Sequence, residues 1–182
     1  MSNFMCILLC VFLCGCVCGK YTSRNKDYEH ECLRTFEYPP QPKICHYTFV
    51  VEWVHSMSAN CFDCPFNIDD CFLNGCVTGE GTARALIATN GLMPGPSIQV
   101  CQWDTIRVKV INNLQDYLGV TIHWHGMYQT GTNWMDGSSM ITHCPIAPAF
   151  VYTFVAYPPG THWWHGHSGF QRSDGFYDSI VI

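Results

Sequence analysis

The sequence has 182 residues, of which 48% are hydrophobic and 14% aromatic, and its formal net charge at pH 7 is −5. This length and composition are those of one globular domain with a substantial core, and they exclude an intrinsically disordered chain. The nine Lys and Arg residues are scattered without a run, which argues against nucleic acid or an anionic membrane surface as a partner.

The N-terminus contains an uncharged apolar block, residues 4–18, followed at once by a polar and charged stretch. The block is short for a membrane span, and Val17 and Gly19 stand where a cleavage site would lie. These features predict a secretory signal peptide over residues 1–19, although a basic n-region is missing, and hence a secreted, extracellular protein that begins near Lys20. A lipoprotein acylation box at residues 13–16 and a membrane anchor stay open as alternatives. No later stretch of the sequence could cross a bilayer.

The cysteines support an oxidising compartment. Five of the thirteen lie in the apolar block and eight follow it: Cys32, Cys45, Cys61, Cys64, Cys71, Cys76, Cys101 and Cys144. An even number after a secretory signal implies disulfides. Residues 20–45 form an irregular, Pro-containing leader that a Cys32 to Cys45 bridge would hold. For the four cysteines at 61, 64, 71 and 76, disulfides are favoured over a zinc site because the compartment is extracellular.

From residue 46 onward the pattern is that of short strands. Stretches rich in β-branched and aromatic residues, or alternating between apolar and charged residues, predict strands at 46–54, 84–89, 97–101, 105–111, 119–125, 150–157 and 176–182, with another around 161–168. Turn signals separate them, and no segment has a helical period. The sequence therefore predicts an all-β domain, an antiparallel β-sandwich or barrel.

Two histidine pairs are the candidate metal ligands. The first pair, His123 and His125, lies in VTIHWHG (120–126), and the second pair, His165 and His167, lies in THWWHGHS (161–168). Side chains at i and i+2 of a strand project to the same face, so each pair offers two imidazoles to one metal. Imidazole suits copper, zinc, iron and nickel. The alternative is that these are ordinary strand histidines, but four imidazoles on one face are costly to bury without partners.

Five motifs resemble the first cupredoxin domain of a multicopper oxidase, in particular the laccase group. They are LMPGPSI (92–98), HWHG (123–126), GTNWMDG (131–137), CPI (144–146) and GTHWWHGHS (160–168). The resemblance runs from about Cys32 to Ile182, and VEW (51–53) with GFQRSDG (169–175) is most similar to insect and other arthropod laccases. It implies a cupredoxin-like, antiparallel Greek-key β-sandwich over residues 46–182.

The resemblance also implies roles for the candidate residues. In that family electrons from a substrate enter at a blue copper and pass to a trinuclear copper cluster that reduces O₂ to water. His123 would bind the type-2 copper, while His125, His165 and His167 would bind the type-3 pair. Asp136 matches a carboxylate near the cluster that relays protons, although an Asp before Gly137 is also common turn chemistry. The implied reductants are diphenols and related aromatic molecules, as in cuticle tanning.

Other residues near the motifs are interpreted more modestly. Three tryptophans, Trp124, Trp163 and Trp164, are predicted to pack in the core around the site and exclude water. His143 and His162 are left without a role because neither is at a ligand position of the family.

The chain departs from the family in lacking a blue-copper motif. Such a site needs a Cys with two His, and the only adjacent His and Cys residues here are Cys45-His46 and His143-Cys144. The chain would supply four of eight cluster histidines, so we expect it to be the N-terminal part of a truncated laccase-like enzyme and inactive alone. The alternatives are a stand-alone copper-binding domain without turnover and a structural domain without metal. A two-domain laccase would still need the blue-copper cysteine.

Two cysteine-containing segments bear on this comparison. By the resemblance, Cys144 would pair with a cysteine of a missing last domain, which would leave one mature cysteine unpaired. In Cys101-Gln102-Trp103-Asp104, Trp103 stands where the family usually has Gly, so the turn there is expected to differ locally.

Overall fold

The computed structural model describes residues 30–114 and 118–182. The predicted signal peptide and the first part of the predicted leader lie outside these residues. Three 3-10 helices, Ala59–Cys61, Ile68–Phe72 and Asn133–Met135, are short. The strands are β1 (Ile44–His55), β2 (Ala85–Thr89), β3 (Ile98–Gln99), β4 (Thr105–Asn112), β5 (Ile122–His125), β6 (Ala149–Val155), β7 (Thr161–Gly166) and β8 (Tyr177–Val181).

The strands form two four-stranded sheets, in the orders β2-β1-β4-β6 and β3-β8-β7-β5. The predicted all-β, cupredoxin-like class is confirmed, with one correction to the pairing. The β1–β4 and β3–β8 pairs are parallel, whereas the other four pairs are antiparallel. A parallel pair needs a long crossover, and here residues 56–104 separate β1 from β4, so the pairing could not be read from adjacent strands.

The core lies between the sheets and is largely aromatic. Phe49 of β1 meets Trp164 of β7 at a ring separation of 4.8 Å, and Trp124 of β5 meets Phe154 of β6 at 4.9 Å. All four side chains are almost completely buried, and burying each contributes about 2–3 kcal/mol. Because Trp124 and Trp164 point into the core, their neighbours along β5 and β7 must point away from it.

Within residues 30–114 and 118–182, three disulfides join Cys32 to Cys45, Cys61 to Cys76, and Cys64 to Cys71. The preference for disulfides over a zinc site is therefore confirmed, as is the bridge that holds the leader. Of the other two cysteines of the described chain, Cys101 is buried and Cys144 is exposed. Among the described residues no helix has the length and apolar character of a membrane span.

A buried carboxylate holds the leader on β4. Arg34 donates two hydrogen bonds to Asp104, at 2.7 and 2.8 Å, and the backbone N–H groups of Lys43 and Cys101 donate two more, at 2.8 and 2.9 Å. Burial alone would raise the pKa of the Asp104 carboxyl, but these hydrogen bonds outweigh it and lower that pKa below its ordinary value. The irregular leader is thus fixed by one carboxylate and one disulfide.

The turn before β4 explains how Trp103 fits a glycine position. Trp103 has a φ of 75°, in the left-handed region that favours Gly. Its ring stacks on Tyr157 at 4.7 Å. The stacking offsets part of the backbone strain.

Candidate metal centre

The two histidine pairs meet across one pair of strands. In the antiparallel β5–β7 pair, His123 lies directly opposite His165, and His125 lies opposite Trp163. His167 follows β7 two residues after His165 and is on the same side. The strand alternation that sends Trp124 and Trp164 into the core therefore turns all four histidines outward.

The four imidazoles form a compact cluster. Ring centroids of His123 lie 5.4 Å from those of His125, His165 and His167. Those of His165 lie 5.7 Å from His125 and 5.9 Å from His167. One ring nitrogen from each of His123, His125 and His165 lies within 4.8 Å of the other two. We call His123, His125, His165 and His167 the four-histidine cluster.

Hydrogen bonds of the second nitrogen orient two of the rings. Nδ1 of His123 bonds to the backbone carbonyl oxygen of Asp136 at 2.8 Å, and Nδ1 of His165 bonds to that of Gly166 at 3.0 Å. A carbonyl oxygen only accepts, so both Nδ1 atoms carry the proton and both Nε2 atoms carry a lone pair. This is the second-nitrogen arrangement typical of metal-bound histidines.

Nε2 of His165 is a buried atom with no hydrogen-bond partner among the described residues. Burial, and to a smaller extent the neighbouring His123, Arg172 and His125, lower the pKa of His165 to about 4. The ring is therefore neutral at physiological pH. A buried lone pair that faces other imidazoles is left uncompensated unless a cation or a water binds it, so the donor set fits a metal that favours nitrogen ligands.

Asp136 borders the cluster through both its backbone and its side chain. Its carboxylate Oδ1 lies 3.5 Å from Nδ1 of His123, and Oδ2 accepts a hydrogen bond from Ser138 Oγ at 2.8 Å. The position is fixed by Gly137, whose φ is 84° and where a Cβ would overlap the carbonyl of Ile122. The Asp-Gly turn is thus wedged against β5, next to His123.

Two residues outside the predicted ligand set, Tyr152 and His143, support β5. Tyr152 of β6 is fully buried, and its hydroxyl accepts a hydrogen bond from the backbone N–H of Ile122 at 2.9 Å. The same hydroxyl lies 2.8 Å from Nε2 of His143, whose Nδ1 lies 2.6 Å from the carbonyl oxygen of Cys144. The hydroxyl therefore donates to Nε2, and His143 gains a supporting role. Burial raises the pKa of Tyr152 well above its ordinary value, which keeps the hydroxyl protonated.

The prediction that three tryptophans pack in the core is wrong for Trp163. Trp124 and Trp164 are fully buried, but Trp163 is only partly buried and lies on the histidine side of β7. Its ring is 4.2 Å from that of His165 and 5.4 Å from that of His125, and Arg172 lies over it at 5.9 Å. The two-residue period of a strand, which places position 163 with 165, was the signal that could have found this.

His162 lies on the other face of β7 from the cluster. Its Nε2 lies 3.0 Å from the carbonyl oxygen of Pro158. This placement agrees with a ligand set that does not include His162. The exposure of the four cluster residues is uneven, since His165 is buried, His123 is half-buried, and His125 and His167 are exposed.

Two mixed sheets around an aromatic core, with histidine pairs at one edge, define a cupredoxin-type domain. Residues 74–182 match the sequence model of the family described as Multicopper oxidase. This is more than half of the chain, which therefore belongs to the multicopper oxidase family. Membership of this family implies copper binding.

Known relatives agree with this assignment. The chain is 46% identical over 99 residues to an L-ascorbate oxidase of Brassica rapa subsp. pekinensis, which covers 53% of this chain and 17% of that protein. It is 44% identical over 101 residues to Laccase-6 of Oryza sativa subsp. japonica, covering 54% of this chain and 17% of that one. The crystal structure of the laccase from Botrytis aclada superposes with a TM-score of 0.61 at 30% identity, over 79% of this chain and 23% of that one. The chain thus spans about a fifth of the length of these relatives.

Proposed function

We propose that the chain is the N-terminal copper-binding part of a laccase-like multicopper oxidase. In this proposal His123 is a ligand of the type-2 copper, and His125, His165 and His167 are ligands of the type-3 pair of a trinuclear cluster. The observation that carries the proposal is the convergence of four imidazoles on one face of the β5–β7 pair in a chain of this family.

The protein's own residues set the conditions for that chemistry. Copper, when bound, would supply the redox chemistry that couples oxidation of a reductant to reduction of O₂ to water. The backbone carbonyls of Asp136 and Gly166 hold the His123 and His165 rings with Nε2 free to bind. The Asp136 carboxylate, close to His123 and held by Ser138, is placed to deliver protons that water formation consumes.

The ligand set is half of the eight histidines that such a cluster takes in the resembling proteins. His125 and His167 are exposed, so the cluster is open on the side where further ligands would approach. The sequence contains no His-Cys-His motif for a blue copper. The proposal therefore places electron entry and the other four ligands on another part of a longer protein.

The proposed reductants are phenolic and diphenolic small molecules, because laccases are among the relatives. The other proposed reductant is an ascorbate-type molecule, because L-ascorbate oxidases are also among the relatives. We also propose that the protein is secreted, with a signal peptide over residues 1–19, because the three disulfides need an oxidising compartment.

The second candidate is a stand-alone copper-binding domain without turnover. Both candidates require copper on the four-histidine cluster, and they differ only in whether phenol oxidation follows when a complementary part of the protein is present.

Copper titration of the purified chain, followed by electron paramagnetic resonance of Cu(II), tests the ligand assignment. We expect the wild-type chain to bind copper, and His165→Ala to bind it about 10–100-fold more weakly or worse. Loss of a residue that only supports a metal ligand already weakens binding by about 10–100-fold, so loss of a ligand should cost at least as much. His162→Ala is the matched control on the opposite face of β7 and should bind as wild type. Equal copper affinity of wild type and His165→Ala would contradict the proposed copper site.

Secretion is tested separately. Expressed with its own N-terminus in eukaryotic cells, the protein should appear in the medium with a mature N-terminus near Lys20 by mass spectrometry. Retention in the membrane fraction with residues 1–19 attached would contradict the signal-peptide prediction and support the anchor alternative.

A further inference from the structure

His125 belongs to the four-histidine cluster but is not held there by a hydrogen bond. It is the last residue of β5 and is exposed, and Gly126 after it has a φ of 97°. Within residues 30–114 and 118–182 its imidazole makes no hydrogen bond, whereas Nδ1 of His123 and Nδ1 of His165 each bond to a backbone carbonyl oxygen. An exposed side chain at a strand end samples several rotamers unless packing holds it in one.

The His125 ring is nevertheless placed for metal binding. One of its ring nitrogens lies within 4.8 Å of a ring nitrogen of His123 and of one of His165. Its ring centroid lies 5.4 Å from that of His123, 5.7 Å from that of His165 and 5.4 Å from that of Trp163. Of these three neighbours only Trp163 is outside the ligand set, and it has the largest ring. Trp163 is therefore the neighbour that supports His125 without binding metal itself.

Strand pairing explains this contact. Trp163 lies directly opposite His125 in the antiparallel β5–β7 pair. Side chains at such positions have Cβ atoms about 4.5–5.5 Å apart, and aromatic pairs there stabilise each other. On the β8 side, Trp163 is paired with Ser179, whose side chain is small. The aromatic neighbour of Trp163 across the sheet is thus His125 and not a residue of β8.

The Trp163 side chain is itself held in place. Its ring lies 4.2 Å from that of His165, which is buried and two residues further along the same strand. The guanidinium carbon of Arg172 lies over the Trp163 ring at 5.9 Å from its centroid, which is within the range of a cation–π contact. An indole packed against a buried ring and under a cation has few rotamers open to it, so it forms a fixed wall beside His125.

We propose that Trp163 is a positioning residue for His125. By ring packing it holds the His125 imidazole in one orientation, as backbone carbonyl oxygens do for His123 and His165. The inference rests on the proposed function, because it takes His125 to be a copper ligand. Residues that only orient a metal ligand typically change metal affinity by about 10–100-fold when they are lost.

The first test uses the purified chain without metal. In nuclear magnetic resonance, three-bond couplings across the Cα–Cβ bond report whether a histidine holds one χ1 rotamer or averages over several. We expect one rotamer of His125 in wild type, averaging in Trp163→Leu, and one rotamer again in Trp163→Phe, which keeps a ring. His167 is the internal control, because its ring contacts are with His123 and His165, and its couplings should be the same in all three proteins.

The second test measures Cu(II) affinity and the electron paramagnetic resonance spectrum. Trp163→Leu should bind copper about 10–100-fold more weakly and with a changed copper hyperfine coupling, and Trp163→Phe should recover most of the affinity. Trp53→Leu is the matched control, because Trp53 is a partly exposed residue of β1, in the other sheet. It should bind copper as wild type does. Circular dichroism confirms that each variant is folded.

A double-mutant cycle identifies the histidine through which Trp163 acts. In a His125→Ala background, adding Trp163→Leu should change copper affinity by no more than about twofold. An undiminished weakening in that background would mean that Trp163 acts through His165 or through stability, and would overturn the proposal. So would a single χ1 rotamer of His125 in metal-free Trp163→Leu. If wild type binds no copper, the proposed function fails, and the positioning role then stands or falls on the metal-free couplings alone.

Discussion

His165 shows how a single side chain links packing to chemistry. Its burial lowers its pKa to about 4, so the ring is neutral above that pH, and its proton sits on Nδ1. The buried lone pair of Nε2 faces three other imidazoles. No feature of the local sequence gives this tautomer, because it depends on which nitrogen finds the Gly166 carbonyl in the folded chain.

Tyr152 supports the same site from the opposite sheet, and Tyr152→Phe should reveal it. The substitution leaves the buried N–H of Ile122 without its acceptor, at a cost of about 1–3 kcal/mol in unfolding free energy. Because Ile122 precedes His123, we also expect copper to bind several-fold more weakly. Urea denaturation and copper titration measure the two effects.

Tyr47→Phe is the control for Tyr152→Phe. Tyr47 is also buried, and its hydroxyl donates to the carbonyl oxygen of Gln99, away from the cluster. The Tyr47→Phe substitution should lower the free energy of unfolding by about 0.5–1.5 kcal/mol without changing copper affinity. If both variants bind copper equally well, Tyr152 acts on stability alone.

At the scale of elements, β5 is short and lies at the edge of its sheet, yet it carries two of the four histidines. Its outer side is covered by the loop that contains Gly137 and by the Tyr152 hydroxyl. An edge strand of four residues has little stability of its own, so these contacts hold the first histidine pair in place. The GTNWMDG motif is thus explained by backbone packing as well as by its Asp.

The leader is the element whose attachment is sensitive to pH. Folding lowers the pKa of the Asp104 carboxyl below its unfolded value, which is near 3.8. The ionised carboxylate therefore contributes its full stabilisation of the folded state above that unfolded pKa. The stabilisation is lost as the pH falls through the lower pKa of the folded state. Asp104→Asn should therefore cost about 2–3 kcal/mol at pH 7, from loss of charge-assisted hydrogen bonds with Arg34. The difference from wild type should shrink below about pH 4.

Denaturant unfolding of both proteins at pH 7, 5 and 3 measures this effect, because other carboxyls titrate alike in each protein. Glu80→Gln, which removes a solvent-exposed ion pair with Arg84, is the control and should leave stability almost unchanged at every pH, because solvent screens that pair. If the difference in unfolding free energy between wild type and Asp104→Asn is constant with pH, the charge of the carboxylate does not contribute to stability.

At the scale of the whole molecule, copper binding should raise the free energy of unfolding. A ligand at about 100 times its Kd stabilises the folded state by about 2.7 kcal/mol. For a domain of this size we therefore expect the Tm to rise by about 5–10 °C with copper. Differential scanning calorimetry with and without Cu(II), and after chelation, checks this.

At the same copper concentration, His165→Ala should show at most about half of the wild-type rise in Tm, whereas His162→Ala should respond as wild type. Zinc should give a smaller shift than copper, since copper lies above zinc in affinity for nitrogen donors. A copper-dependent shift of equal size in His165→Ala would place the metal elsewhere on the chain.

Much of this molecule was determined by the sequence alone. The two-residue period of the strands, the spacing of the histidine pairs and the even set of cysteines predicted the all-β class, the clustered imidazoles and the disulfides, because these properties are local or follow from one strand's alternation. Only the tertiary structure decided that β1 and β4 are parallel, and that Tyr152 and Asp104 hold the site and the leader. Those features depend on partners between 30 and 70 positions apart in sequence, and chain periodicity carries no information about which distant segments meet.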